Sequence, residues 1–425
     1  MFGRRYRVLK KTFLNFTLHF NGFSVMIDFK HLENICQKNS AMTRSLVDEF
    51  LIYYAAQRDR LDREMEQRLA RYRHITRKFQ QSWVNMLKAQ YIAHRIFKED
   101  GLIKKYLNHS ELQRLDAPEL NYLVEQAAHP WRFSFSVVTE APAVDFYEME
   151  DIFTGDPFLL YSPGVTRIFD EQPVALLFNL ISFNGACWQS FGPIGAYQSF
   201  EPDDIFFFAT ELNPQIESEE DLVADVEKNP VPYMMLLAGG TFPPIFHKND
   251  QIVQVIAAYD QDAFDVGGLD KDFKVEYAHA VYRLTLKRWG EHPHFSTAYY
   301  DENKKVLFLS SMTDRGFSAL ANRLNAYGYD LWNEPDIRVN PSMLTLTQDI
   351  LKKKIQLNAY DALFTVKTSE KKQEKIDKLN NLLKLLLPEI NAGREPDIEA
   401  MAREAGVDVK MAREMMHQIN KMRKL

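Results

Sequence analysis

The sequence predicts an α+β fold with helices at both ends of a strand-rich centre. Three observations carry this expectation. Neither Gly nor Pro occurs between Phe23 and Asp100, the mark of a long helical region. Between His129 and Thr210, apolar and aromatic residues come in runs of four to eight broken by Gly, Pro and Asp. Such runs read as short strands of a small barrel or a curled antiparallel sheet. Beyond Trp332 helical patterning returns and reaches the C-terminus.

At 425 residues, 46% hydrophobic and 26% charged, the chain has the composition of a globular protein of several domains. Cys36 and Cys187 are its only cysteines and stand in unlike contexts. That argues against a disulfide framework and for a reducing, cytoplasmic setting. No run of 18 apolar residues exists, so no membrane span is expected.

Charge is distributed unevenly. Residues 1–130 carry 22 Lys and Arg against 14 Asp and Glu, residues 131–280 carry 6 against 25, and residues 281–425 carry 24 against 19. An acidic middle repels phosphate backbones, so nucleic acid is an option only for the helical ends.

Residues 1–25 form a basic leader with no acid before Asp28 and no small-residue cleavage site. They are expected to be unstructured, with Met26 opening the folded chain. In the helical region 26–128, Met65, Leu69, Tyr72, Thr76, Phe79, Trp83 and Met86 follow alternating steps of four and three. This seam predicts a long helix or a hairpin of two, packed on the chain itself or, through residues 61–86, on a second copy as a homodimer. Gly101 stops the pattern, and short helices follow with Ser110 and Asp116 as N-caps.

In the central domain 129–210, Thr154-Gly155-Asp156 predicts a hairpin turn. Glu201-Pro202-Asp203-Asp204 reads as the turn before a last strand, Ile205-Phe206-Phe207-Phe208. Aromatics exposed on such a barrel stack single-stranded bases in some proteins, but the acidic balance speaks against that here. An acidic connection with one short helix spans 211–231. The unit 232–335 is read as strands in YMMLLAGG, QIVQVIAAY, AVYRLTLKRW and KVLFLSSM. A helix follows, capped at Ser311-Met312-Thr313-Asp314 and closed by Gly328. Residues 336–388 predict a helix from Ser342 to about Phe364, a polar linker or helix start KTSEKKQEK, and an amphipathic helix ended by Pro388.

The tail, 389–425, holds the one local pattern with a recognisable form. Asp397 caps, Ile398 and Met401 are apolar, Ala402 is small beneath a turn at Gly406-Val407, and Ala412, Met415 and Ile419 face back. This resembles the helix-turn-helix of lactose-repressor-type bacterial repressors, over about 30 residues. The resemblance implies that Lys410, Arg413 and His417 face outward from the second helix toward DNA, RNA or a protein. Asp408 and Glu414 share that surface and favour protein.

Gly185-Ala186-Cys187-Trp188 resembles the nucleophile segment of papain-type thiol proteases, and His279-Ala280-Val281 their histidine segment. That resemblance would make Cys187 a nucleophile and His279 its base. However, Gly192 and Pro193 leave no room for the long helix that lowers such a thiol. Glu291, His292 and His294, with Asp301, form the one close group of potential metal ligands; His-Pro-His on a loop presents two imidazoles, whereas zinc requires three or four donors that converge. The acidic run from Asp260 to Asp272 fails the calcium-loop pattern at Phe264, Asp265 and Lys271. The reading is therefore a protein with no cofactor that acts by binding a partner, with a Cys-His hydrolase as the alternative.

Overall fold

A computed structural model describes residues 27–364, 370–391 and 396–423. The leader 1–25 lies outside the described residues. The chain forms two compact units, one ending at Leu357 and the other running from Asn358 to Leu425.

In the first unit, α1 (Phe29–Met42) starts on Asp28, whose carboxylate accepts the His31 N–H. It runs through a π-helical stretch, Thr43–Leu51, into α2 (Ile52–Arg58). Arg60, at φ 56°, then breaks the helix. The seam region is divided into α3 (Leu61–Ala70), the single turn α4 (Arg73–Thr76) and α5 (Gln81–Phe97). This is the hairpin option, with α3 packed on α5. The seven-residue seam is not one face: Met65 and Leu69 are buried, whereas Trp83 and Met86 are exposed. Leu61, Ile75, Leu87 and Tyr91 fill the core in their place, because each short helix turns its own stripe inward. After α6 (Ile103–Tyr106), Asp116 caps α7 (Ala117–Ala128) in a reciprocal box with Glu119. Ser110 is not a cap; its hydroxyl donates to Glu111, and only a 3-10 turn follows.

The barrel consists of β1 (Arg132–Ala143), β2 (Phe146–Asp151), β3 (Pro157–Tyr161), β4 (Leu176–Phe183) and β5 (Trp188–Tyr197), with α8 (Pro163–Glu171) between β3 and β4. It closes in the order β1-β2-β3-β5-β4. All pairs are antiparallel except β3 with β5. Three meandering strands, a return beside β1 and a last strand inserted between β4 and β3 make the five-stranded Greek-key barrel of OB architecture. Side chains alternate along the strands. Met149, Phe158, Leu160, Leu177 and Ile181 pack together inside, while Phe133, Phe135 and Phe178 stack outside against the helices.

Residues expected as the last central strand form a helix instead, α9 (Pro202–Leu212). Pro202 occupies its first turn, and the Asp204 carboxylate accepts the Glu201 N–H at 2.9 Å. Asp204 through Thr210 are all buried, so this helix has no polar face and its apolar run imitates a buried strand. The same error affects YMMLLAGG. After α10 (Glu219–Lys228), the chain forms α11 (Pro230–Met234) and a 3-10 turn, buried on nearly all sides.

A small hairpin, β6 (Phe246–His247) and β7 (Asp250–Gln251), precedes the second sheet. That sheet contains β8 (Gln254–Asp260), β9 (Phe273–Ala278), β10 (Val281–Leu286), β11 (Thr297–Asp301) and β12 (Val306–Ser311). Thr313 caps α12 (Asp314–Asn325) by accepting the Gly316 N–H, and Gly328 ends the turn beyond it at φ 94°. With β13 (Ile337–Val339) the antiparallel order is β13-β8-β12-β11-β10-β9, and Phe317, Leu320 and Leu324 of α12 pack on its apolar face. Beyond β13, α13 (Pro341–Leu351) stops at Lys352, φ 53°, so the helix expected to reach Phe364 is interrupted.

The barrel half and the sheet half meet at a polar junction. The buried Asp204 carboxylate also accepts the Asn340 N–H at 2.6 Å, and Asn340 Nδ2 donates to the Ser199 carbonyl. Arg338 of β13 reaches Glu201 before α9 and Asp314 in the first turn of α12.

In the second unit, α14 (Asp361–Phe364) is followed by α15 (Glu370–Asn391), α16 (Ile398–Ala405) and α17 (Val409–Arg423). The polar stretch from Lys367 thus lies partly outside the described residues and, from Glu370, begins α15. Pro388 does not end α15 but sits in its last turn. Leu382, Leu386, Ile390, Ala402, Ala405 and Ala412 form a core of the unit's own.

Candidate functional site

In barrels of this architecture, ligands lie across strands 2 and 3 and against the loops joining strands 1–2 and 4–5. Here those loops are residues 144–145 and 184–187, and α1 covers the strand face beside them. Phe146 of β2 and Tyr161 of β3 pack with Phe29, Leu32 and Cys36 of α1. The Phe29 and Phe146 rings are 5.1 Å apart, and those of Phe146 and Tyr161 5.0 Å.

The loop from β4 to β5 is built by Asn184. Its Oδ1 accepts the N–H groups of Ala186 at 2.9 Å and Cys187 at 2.8 Å, and Gly185 takes φ 88° within the turn. The Asn184 amide donates toward Cys36 Sγ at 3.3 Å and Cys187 Sγ at 3.6 Å. The two sulfurs are themselves 3.3 Å apart. Gln189 completes the node: its amide donates to the Cys36 carbonyl and Ser40 Oγ, and its carbonyl accepts from Asn39 and Asn184. With Cys187 S–H donating to Cys36, the Cys36 thiol is held below its ordinary value, against the cost of burial. The same bond, with burial, pushes Cys187 up.

Cys187 and His279 are not brought together. Cys187 is buried against Cys36, whereas His279 sits exposed, at φ 53°, in the tight turn from β9 to β10 in the other sheet. The segment that resembles a protease nucleophile is an Asx-type turn leading into a strand, with no helix N-terminus beneath the thiol.

Glu291, His292 and His294 lie in the loop from β10 to β11. His294 Nδ1 is 2.7 Å from Thr313 Oγ1 and its ring lies tilted against Trp289 at 4.4 Å, while the His292 ring meets His247 edge-on at 4.5 Å. Burial holds the His294 imidazole below its ordinary value. Among the described residues, no group of three or more His, Cys, Asp or Glu is placed to hold a metal ion.

A cleft of about 520 Å³ opens beside this loop, lined by Lys271, Lys287, Arg288 and Arg323 with Trp289 and Asp272. Lys287 Nζ already donates to the carbonyls of Asp270 at 2.6 Å and Lys271 at 3.2 Å, and Arg323 lies 3.6 Å from the Asp272 carboxylate. The cleft is cationic, but two of its four cations are engaged within the protein.

In the tail, Asp397 Oδ1 accepts the Ala400 N–H to open α16, and Gly406, φ 67°, closes it, with Val407 N–H returning to the Ala402 carbonyl at 2.9 Å. Asp408 Oδ1 accepts from Lys410 and Met411 N–H at the start of α17. Lys410, Arg413 and His417 are exposed on α17, but Arg413 pairs with Glu399 of α16.

Sequence reasoning identified Cys187 but missed Cys36 and Asn184, because their contacts span 148 and 151 residues and leave no local pattern. The Asn-Gly pair preceding Cys187 was the available signal for the turn. No known protein family matches the chain, and no curated protein or solved structure is similar to it.

Proposed function

We propose that this protein acts by binding, and that its C-terminal helices engage a protein partner. The observation that carries this reading is the second unit itself: α15, α16 and α17 enclose their own apolar core and leave one side of α17 exposed with mixed charge. Lys410 and His417 share that side with Glu414, and Arg413 is neutralised by Glu399. A carboxylate at Asp408 occupies the start of α17, where a helix that grips phosphate offers bare N–H groups. That charge pattern favours protein over nucleic acid. Binding is preferred to thiol hydrolysis because the Cys187 sulfur faces Cys36 and Asn184 rather than an imidazole. Self-association through residues 61–86 would depend on Trp83 and Met86, since Met65 and Leu69 serve the chain's own core. Among the described residues no helix is long and apolar enough to cross a membrane; a cytoplasmic setting is proposed with this reading.

The test is fluorescence anisotropy of labelled duplex DNA and single-stranded RNA over a salt series, beside pull-downs with the full chain and a chain lacking residues 358–425. The expected result is no salt-sensitive nucleic-acid binding and a protein captured only by the full chain. Salt-sensitive binding to duplex DNA that Lys410→Glu with Arg413→Glu abolishes would overturn the protein-binding reading.

A further inference from the structure

We propose that Cys36 and Cys187 form a redox modification site, a dithiol that a peroxide converts to a disulfide fastening α1 over strands 2 and 3 of the barrel. The geometry is specific. The chain's two cysteines, 151 positions apart, place their sulfurs 3.3 Å from each other, so a bond needs an approach of about 1.3 Å and no change of fold. One amide, Asn184 Nδ2, addresses both sulfurs and is fixed in turn by Gln189. That arrangement serves a negative charge on sulfur rather than apolar packing.

Cys36 is the attacking sulfur, because the Asn184 amide lies closer to it than to Cys187 and, with the Cys187 S–H donating, its thiolate is the one stabilised. The thiolate attacks the O–O bond of hydrogen peroxide. The S–O bond forms as the O–O bond breaks, and the departing hydroxide takes the thiol proton and leaves as water. The Cys187 sulfur then attacks the resulting sulfenic acid. The S–S bond forms as the S–O bond breaks, and a second water carries away the Cys187 proton. Two thiols are oxidised by two electrons in all, and the peroxide is reduced to two waters.

Access comes from α1. Both sulfurs are buried, at 0% and 1% exposure, but Cys36 is the one residue of α1 that is fully buried. A helix held by so little surface opens locally at small cost, admits peroxide, and is then retained by the new bond.

The reduced full-length chain is treated with hydrogen peroxide, alkylated with N-ethylmaleimide after denaturation, and weighed. The expected product is a monomer lighter by two hydrogen atoms, free of maleimide, containing a Cys36-to-Cys187 cross-linked peptide and reversed by dithiothreitol. Hydrogen exchange across Phe29–Met42 is slower in that product than in the reduced chain. In Cys187→Ala, dimedone captures a sulfenic acid at Cys36, and in Cys36→Ala it captures none at Cys187. Full alkylation of both cysteines after peroxide, a disulfide between two chains, or a Cys36 sulfinate with Cys187 still free would overturn the site. Unchanged exchange in α1 would overturn the fastening.

Discussion

Replacing Asp204 by Asn is expected to change how stability depends on pH. Burial pushes the Asp204 carboxyl from 3.8 up to about 7, despite the N–H groups of Asn340 and Glu201 that favour its charged form. Between those values the folded protein keeps a proton that the unfolded chain has lost. The group's contribution to stability is therefore complete below pH 4 and is lost as pH rises to 7. At about 1.4 kcal/mol per pH unit, the loss across the window is on the order of 4 kcal/mol. Other carboxylates add slopes of the opposite sign, among them Glu276, which Arg283 holds below its ordinary value, so that its contribution is lost as pH falls. The difference between wild type and Asp204→Asn isolates the one group, since an amide has no proton to lose. Urea unfolding at half-unit steps from pH 4 to 8 measures it. The advantage of wild type over the variant should shrink steadily with rising pH. A difference that stays constant, or that grows with pH, would refute burial as the dominant influence on this carboxyl.

Other perturbations follow from the packing. Ala402→Leu inserts a branched side chain where Ala402 is fully buried, and should cost about 1–3 kcal/mol in the second unit alone, read as a lowered melting transition for residues 358–425. Gly406→Ala should cost about 1 kcal/mol there, because an L-residue is strained at φ 67°; thermal denaturation would register it. Gln90→Ala removes the amide that donates to the carbonyls of Phe191 and Pro193, both at 2.9 Å, and leaves buried acceptors on β5. A loss of about 1–3 kcal/mol by chemical denaturation is expected, and a neutral result would mean water replaces the amide.

Much of the fold could be read from sequence because local chemistry announced it. The stretch without Gly or Pro is helical, Thr154-Gly155-Asp156 does turn β2 into β3, and Asp116 and Asp397 each cap a helix, while the box expected over Ser311-Met312-Thr313-Asp314 is a single cap on Thr313. Two of the failures trace to burial. Helices α9 and α11 touch protein on almost every side, so no polar stripe marked their period and they passed for strands. Strand β9 was overlooked for the opposite reason, since its Lys274 and Tyr277 are exposed at a sheet edge, and β13 is three residues long. At the candidate site the sequence pointed to Cys187 and to an imidazole. What stands beside the sulfur is another thiol and an amide, delivered by a helix from the far end of the chain.

The position of α1 also sets a condition on any molecule that approaches this face of the barrel. Strands 2 and 3 already hold an occupant joined covalently to the barrel, and such a tethered occupant does not dilute. It competes at an effective concentration fixed by the chain itself, whatever the amount of protein in solution. A visitor to that face must displace Phe29, Leu32 and Cys36 together and hold the opened helix off against that local competition.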